Sequence, residues 1–174
     1  MLGQLGAACT VVKKPAQLPG LDGLVMPGGE STTLIKLMRA YGLWEAVASF
    51  AASGGAVLGT CAGMIIAARE VLNPPQDRLD LIDVTVERNS YGRQAQSFEA
   101  FGELLEPGAA SRPLEMVFIR APRIVRLGEQ VEPLAYCGGN CVLARSGKVL
   151  VASFHPELTA DLAVHRLFLA SCGR

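Results

Sequence analysis

Apolar positions in the first half of the chain alternate between runs of strand length and stretches with helical spacing. Short, nearly continuous apolar runs predict buried strands at residues 9–12, 23–26 and 56–59. Apolar residues three and four positions apart predict helices at residues 34–41, 43–51 and 64–72. Strands that alternate with helices in this order form parallel sheets connected by crossover helices.

The second half of the chain is dominated by strand patterns. Ile82, Val84 and Val86 alternate with polar residues, as on a half-exposed strand. Further short strands are predicted at residues 117–119 and 134–136, a hairpin at 141–154 around the turn 145–148, and an amphipathic closing helix at 161–172. We find no repeat, low-complexity segment or linker. The patterns therefore predict one α/β domain over residues 1–174, a parallel sheet with an antiparallel portion.

Composition narrows the class of protein further. The 174 residues are 50% hydrophobic, and 16 basic residues balance 16 acidic ones. This argues against a disordered chain and against a nucleic-acid partner. No apolar run reaches the roughly 18 to 20 residues that span a membrane, and residues 1–5 lack the features of a signal peptide.

The five cysteines are an odd number, and most lie in apolar segments. Secreted disulfide frameworks are denser, so we expect reduced thiols and a cytoplasmic protein. Cys137 and Cys141 have a ligand-like spacing, but no second Cys or His pair lies nearby in the sequence to complete a zinc site. We therefore expect no metal, and two buried thiols on either side of a turn.

The sharpest local signal is Gly59-Thr60-Cys61-Ala62-Gly63, between a predicted strand and a predicted helix. It has the form of a nucleophile elbow, in which glycines permit a very tight turn around the nucleophile. The start of a helix favours a thiolate at Cys61, and the Ala62 N–H group can face a developing oxyanion. A buried cysteine in a glycine-rich turn would give the same pentapeptide, and the pattern alone does not separate the two.

A thiol nucleophile needs a base, and the chain contains two histidines. His155 precedes Pro156 and Glu157, so the carboxylate two residues on can face the same side and orient the imidazole. A surface His beside a surface Glu is the simpler alternative. His165 lies in the last predicted helix beside Arg166, where we expect a solvent-facing, structural residue.

A third element, Pro27-Gly28-Gly29-Glu30-Ser31-Thr32, follows a predicted strand and precedes a helix. Its N–H groups could complete an oxyanion hole or hold a substrate carboxylate. By itself it could equally be a phosphate-binding loop, or a turn in which Ser31 caps the helix. A Walker loop is excluded because no Gly-Lys-Ser/Thr follows at the required spacing.

These elements, in this order, resemble the class I, triad-type glutamine amidotransferases. The closer resemblance is to the family of glutaminase subunits of pyridoxal 5'-phosphate synthase. The elbow and His155-Pro156-Glu157 are shared with the wider class, and the resemblance spans essentially the whole chain. Ser97-Phe98-Glu99 also carries the resemblance. The segments that indicate the narrower family are Gly29-Glu30-Ser31-Thr32, Arg88-Asn89-Ser90-Tyr91-Gly92-Arg93-Gln94 and Phe118-Ile119-Arg120-Ala121-Pro122.

The resemblance implies a three-layer, flavodoxin-like single domain and a Cys61–His155–Glu157 triad. Cys61 would attack the side-chain amide of L-glutamine, and His155 would protonate the departing ammonia. Gly29 and Ala62 would be the oxyanion donors. The ammonia would pass to a synthase subunit, in a large hetero-oligomer built on a synthase ring, with no cofactor in the glutaminase itself. The residues implied to contact glutamine are Gly29, Glu30, Ser31, Arg88, Ile119 and Arg120.

The resemblance also implies that the chain is short at its N-terminus, since family members begin with a further strand and the first part of a helix. Three alternatives remain open at this point. The chain could serve another acceptor, such as the imidazole-glycerol-phosphate pathway; it could be a redox-sensing or chaperone-like protein with an elbow cysteine; or it could be a non-catalytic binding subunit.

Overall fold

A computed structural model describes residues 1–88, 97–105 and 110–173 of the chain. Within these ranges the chain forms ten strands, in two sheets, and four α-helices. The strands are β1 (Gly23–Met26), β2 (Ala56–Thr60), β3 (Ala68–Leu72), β4 (Ile82–Glu87), β5 (Ser97–Leu104), β6 (Arg112–Ile119), β7 (Arg123–Leu127), β8 (Glu132–Cys137), β9 (Asn140–Ser146) and β10 (Val149–Ala152). The helices are α1 (Ser31–Ala40), α2 (Leu43–Ala52), α3 (Ala62–Ala67) and α4 (Ala163–Ser171).

The main sheet is mixed and has the strand order β1-β2-β10-β9-β8-β5-β6. The neighbours of β2 run parallel to it, whereas the other pairings in this sheet are antiparallel. The predicted α/β class with both kinds of pairing is therefore confirmed, although the antiparallel portion is larger than expected. A smaller sheet has the order β3-β4-β7, with β3 parallel and β7 antiparallel to β4.

Helices cover both faces of the main sheet, which gives the three layers. Val57 of β2 points into a core that it shares with buried residues of α1, α2 and α3. Its neighbour Leu58 points the other way, into a core that includes Val164 and Phe168 of α4. Successive strand residues face opposite sides, so a strand buried on both faces needs the nearly continuous apolar sequence seen in β2.

The prediction of one helix over residues 64–72 was wrong in its second half. Helix α3 ends at Ala67, and the chain continues directly as β3. In this strand Ala68 lies opposite Ile82, and Val71 opposite Val86, in a parallel ladder with β4. Short apolar runs suit either structure, and the hydrogen bonds of a ladder with a distant partner decided this one.

The predicted strand at residues 9–12 was also wrong. These residues form no ladder with any strand in the described ranges, and the Val11 side chain is 72% exposed. An extended segment becomes a strand only when a neighbour completes its hydrogen bonds. By contrast, the predicted hairpin is confirmed, because β9 and β10 pair antiparallel with Val149 opposite Ser146.

Candidate active site

Strands β2 and β10 bring the two halves of the candidate site together. They lie side by side and parallel, with Ala152 opposite Thr60, so both end at the same edge of the sheet. The N–H group of Cys61 donates to the carbonyl of Ala152 across 2.8 Å. The segment after β10 is anchored in turn, since the His155 N–H group donates to the carbonyl of Val117 at 2.8 Å.

Cys61 occupies a strained backbone position between β2 and α3. Its φ of 48° and ψ of −104° are rarely adopted by a residue with a side chain. A Cβ atom on Gly59 would lie 2.7 Å from the carbonyl oxygen of Gly63, and one on Gly63 would overlap the carbonyl oxygen of Met26. Only glycine fits at both places, as the elbow pattern predicts. Strain of this kind at a nucleophile position favours a functional turn over a merely buried cysteine.

The second half of the candidate site is a histidine held by a carboxylate. The Nδ1 atom of His155 lies 2.8 Å from Oε1 of Glu157, the residue at the predicted spacing. The His155 side chain is 11% exposed and that of Glu157 37% exposed. The Cys61 side chain lies close enough to the same imidazole to raise the pKa of His155. The structure thus brings together the three residues that the sequence singled out, in the order nucleophile, base, orienting carboxylate.

Electrostatics favour the charged form of this histidine. The hydrogen bond with Cys61 is the largest cause that raises the pKa of His155, to about 9, and the hydrogen bond with Glu157 adds to it. Burial lowers the pKa of His155 and raises that of Glu157. The hydrogen bond with His155 nevertheless keeps the pKa of Glu157 below its usual value. An imidazolium beside a thiol can stabilise the thiolate and can later protonate a leaving nitrogen.

The two candidate oxyanion donors lie on opposite sides of the nucleophile in the chain. Ala62 is the first residue of α3, where backbone N–H groups have no acceptor within the helix. Gly29 has a φ of 147°, and nothing lies within 4 Å of the position that a Cβ atom would occupy there. The role of Gly29 and Ala62 as oxyanion donors stays a prediction.

Four of the expected glutamine contacts lie at the start of α1 or beside it: Gly29, Glu30, Ser31 and Arg88. Glu30 caps the helix, because its carboxylate accepts hydrogen bonds from the N–H groups of Thr32 at 3.1 Å and Thr33 at 2.7 Å. The Thr32 hydroxyl is the largest cause that lowers the pKa of Glu30, to about 2. Arg88 lies close to the same carboxylate, with 3.7 Å between Nη2 and Oε1.

The alternative in which Ser31 caps the helix is wrong. Ser31 is the first residue of α1 and is 3% exposed, and its hydroxyl donates to Oε1 of Gln76 at 2.8 Å. Sequence reasoning did not single out Gln76, because nothing in a loop residue forty-five positions away indicates a contact with Ser31.

The remaining expected contacts, Ile119 and Arg120, follow the end of β6. The carbonyl of Ile119 accepts a hydrogen bond from the Cys61 thiol at 3.8 Å, so this segment lies beside the nucleophile. Arg120 has a φ of 44°, a second strained backbone position at the site. Residues 89–94, which carry part of the resemblance, lie outside the described residues.

His165 contradicts its prediction as a solvent-facing residue. It is 5% exposed, on the face of α4 that packs against the sheet, and burial lowers its pKa. The sequence did contain a signal, because Val164 and Phe168 are core residues four positions apart and His165 adjoins that stripe.

Cys137 and Cys141 flank a turn, as predicted, but the expectation of two buried thiols was wrong for Cys137, which is only partly buried. Cys141 is buried, and burial raises the pKa of its thiol to about 11, which disfavours the reactive thiolate. The described parts of the chain contain no group of three or more His, Cys, Asp or Glu residues that could hold a metal ion. Nor is any helix in those parts long and apolar enough to cross a membrane.

Comparison with known proteins decides the family. The SNO glutamine amidotransferase family matches residues 1–174. The chain belongs to this family. It is 50% identical to the pyridoxal 5'-phosphate synthase subunit PdxT of Thermosipho africanus over 169 residues. The matched region covers 97% of this chain and 88% of that one. The subunit of the same name from Pelotomaculum thermopropionicum is 49% identical over 174 residues, 100% of this chain and 88% of that one.

Solved structures agree with this membership. A crystal structure of a glutamine amidotransferase superposes with a TM-score of 0.90 at 48% identity, over 99% of this chain and 90% of that chain. The structure of PurLQS from Thermotoga maritima is 13% identical and superposes with a TM-score of 0.60, over 88% of this chain and 79% of that one. The second likeness shows only that the fold is shared.

Gly28 lies against the candidate base, a contact that the sequence did not indicate. A Cβ atom at Gly28 would overlap Cε1 of the His155 ring and lie 3.1 Å from Nδ1.

We therefore expect Gly28→Ala to displace the imidazole and to lower turnover by about 10²-fold, since displacements near 1 Å can have that effect. Steady-state ammonia release measures this. Gly3→Ala is the matched control, because nothing lies within 4 Å of its Cβ position; equal activity of the two variants would contradict the contact.

Proposed function

We propose that this chain is the glutaminase subunit of a pyridoxal 5'-phosphate synthase, which hydrolyses L-glutamine and delivers the ammonia to a synthase subunit. The observation that carries the proposal is Cys61 in a strained elbow, in contact with a histidine held 2.8 Å from Glu157. Family membership and relatives of about 50% identity support the assignment to this synthase.

The reaction follows from the three side chains. The thiolate of Cys61 attacks the side-chain amide carbon of glutamine. As the C–N bond breaks, the imidazolium of His155 transfers its proton to the leaving nitrogen, which departs as ammonia. Water then attacks the thioester carbon while His155 accepts a proton, and the C–S bond breaks to release glutamate. Glu157 keeps the ring oriented and stabilises its charged form in both steps.

The negative oxygen of each tetrahedral intermediate needs donors that are already in place. The N–H groups of Gly29 and Ala62 are proposed for this role. The amino acid end of glutamine carries one positive and one negative group. Arg88 beside Glu30 offers both complementary charges. The other proposed glutamine contacts are Ser31, Ile119 and Arg120. The last two lie in the strained segment next to the Cys61 thiol.

Coupling to a synthase, in the proposed ring-based assembly, would prevent loss of ammonia to water. The peptide between Gly28 and Gly29 is the proposed switch, because glycine tolerates both orientations and the space beside Gly29 is open. One orientation directs an N–H group toward the oxyanion, and the other directs a carbonyl. A docked partner need favour the first by only ~3 to 4 kcal/mol to change the rate by about 10²- to 10³-fold.

The test is a titration of purified synthase subunit into this chain at saturating glutamine, with ammonia as the readout. We expect weak hydrolysis alone and a rise of about 10²- to 10³-fold when the partner is bound. Cys61→Ser with partner is the blank. The cyclase subunit of the imidazole-glycerol-phosphate pathway is the matched control for the acceptor, and stimulation by that subunit instead would support the alternative acceptor. Full activity alone, unmoved by the partner, would contradict the switch.

A further inference from the structure

The loop between β3 and β4 reaches the start of α1 and forms a hydrogen bond that the proposed mechanism does not use. Gln76, in this loop, accepts the hydroxyl proton of Ser31 through Oε1 at 2.8 Å. A serine hydroxyl has one proton to donate and two lone pairs that can accept. Because its proton is directed to Gln76, the Ser31 oxygen presents only acceptor capacity to any further partner.

Other contacts fix this loop against α1 and the smaller sheet. Asp77 forms an ion pair with Arg39 of α1, with 2.9 Å between the charged atoms. The Arg39 guanidinium also lies over the Trp44 ring, 5.1 Å from its centroid. On the other side of Gln76, the Nε atom of Arg78 donates to the carbonyl of Arg69. The Gln76 amide therefore sits between two anchored neighbours and is held in place.

The amide is placed at a cost to stability. Its Nε2 atom is buried and has no hydrogen-bond partner in the described residues. An unpaired buried donor destabilises the folded chain, because it gives up its hydrogen bonds to water and gains none in return. The bond from the buried Ser31 hydroxyl to Oε1 offsets part of this cost, so the amide brings little net stability at this position.

We infer that Gln76 is a positioning residue that acts through Ser31 on substrate selection. By taking the hydroxyl proton, it leaves the Ser31 oxygen as an acceptor for the α-ammonium group of the amino acid substrate. The inference rests on the proposed function, which places Ser31 among the glutamine contacts. It assigns Gln76 a role in discriminating between glutamine and amides that lack the ammonium group.

The experiment compares two substrates in the complex with the synthase subunit: L-glutamine and 4-carbamoylbutanoate, which is glutamine without its α-amino group. Gln76→Met removes both polar atoms with little change of shape. We expect it to raise KM for glutamine about tenfold, with kcat within about twofold, and to change kcat/KM for the des-amino substrate by less than about twofold. Gln76→Glu keeps an acceptor oxygen and should hold KM for glutamine within about threefold of the unchanged chain.

A double-mutant cycle with Ser31→Ala separates positioning from a structural effect. If Gln76 acts through Ser31, Gln76→Met should have almost no further effect on KM in the Ser31→Ala background. Equal losses for both substrates, additive effects in the cycle, or an unchanged KM in Ser31→Ala would each overturn the inference while leaving the glutaminase assignment intact. Thermal unfolding checks that the variants are folded. If the unchanged chain with folded partner released ammonia from neither substrate, the proposed function would be overturned, and this inference with it.

Discussion

Replacing Cys61 by serine is expected to lower ammonia release from L-glutamine by at least about 10⁴-fold without unfolding the protein. The reason is positional: the thiol is the nucleophile at the elbow and contacts His155, and its exchange for a hydroxyl changes one atom in a side chain that is only 6% exposed. Ammonia release in the presence of the synthase subunit, together with thermal unfolding, measures both parts of this prediction.

The cysteines outside the elbow provide the controls. Cys9 is exposed and lies far from the candidate site in the sequence, so Cys9→Ser should retain full activity. A glutamine-like electrophile should label Cys61 before the other four thiols, because only Cys61 combines an activating histidine with the proposed substrate site. Preferential labelling of Cys137 or Cys172 would count against the triad.

Substitution of the other two triad residues should give graded losses. We expect His155→Ala to lower turnover by about 10⁴-fold, because this imidazole is the proposed base for the thiol. Glu157→Gln should cost about 10²- to 10³-fold, since the amide preserves packing but no longer stabilises the imidazolium. Wild-type turnover in Glu157→Gln would show that the 2.8 Å contact has no catalytic role.

The pH dependence of Glu157→Gln gives an independent readout. His155 acts while protonated, and its raised pKa of about 9 keeps it charged up to alkaline pH. Removal of the Glu157 charge lowers that pKa, so the alkaline limb of the pH–rate profile should move to lower pH. The shift should be partial, because the contact with Cys61 is the larger cause of the raised pKa and remains. An unmoved limb would mean that another group controls it.

Short-range patterns were sufficient for the elements that depend on neighbours in sequence. The elbow glycines and the spacing between His155 and Glu157 are local requirements of one turn and one extended segment, and both appear in the structure as predicted. The resemblance carried the family assignment, because it rests on the same local motifs. Two of the three helices predicted in the first half followed from apolar spacing alone, with ends within a few residues of α1 and α2.

Contacts between distant segments decided what the sequence could not. Residues 68–72 became β3 because β4 supplied a ladder, whereas residues 9–12 have no such partner in the described ranges. Glu30, and not Ser31, caps α1, and the Ser31 hydroxyl instead donates to Gln76 of a remote loop.

The candidate site shows the same division. Sequence alone identified Cys61, His155 and Glu157 as the reactive set and predicted strand ends for the first two. Their meeting depends on β10 lying beside β2, and the close approach of the Gly28 backbone to the imidazole depends on it as well. The physical reason is that spacing along a chain sets which way a side chain points, whereas the hydrogen bonds and packing between remote segments set what it meets.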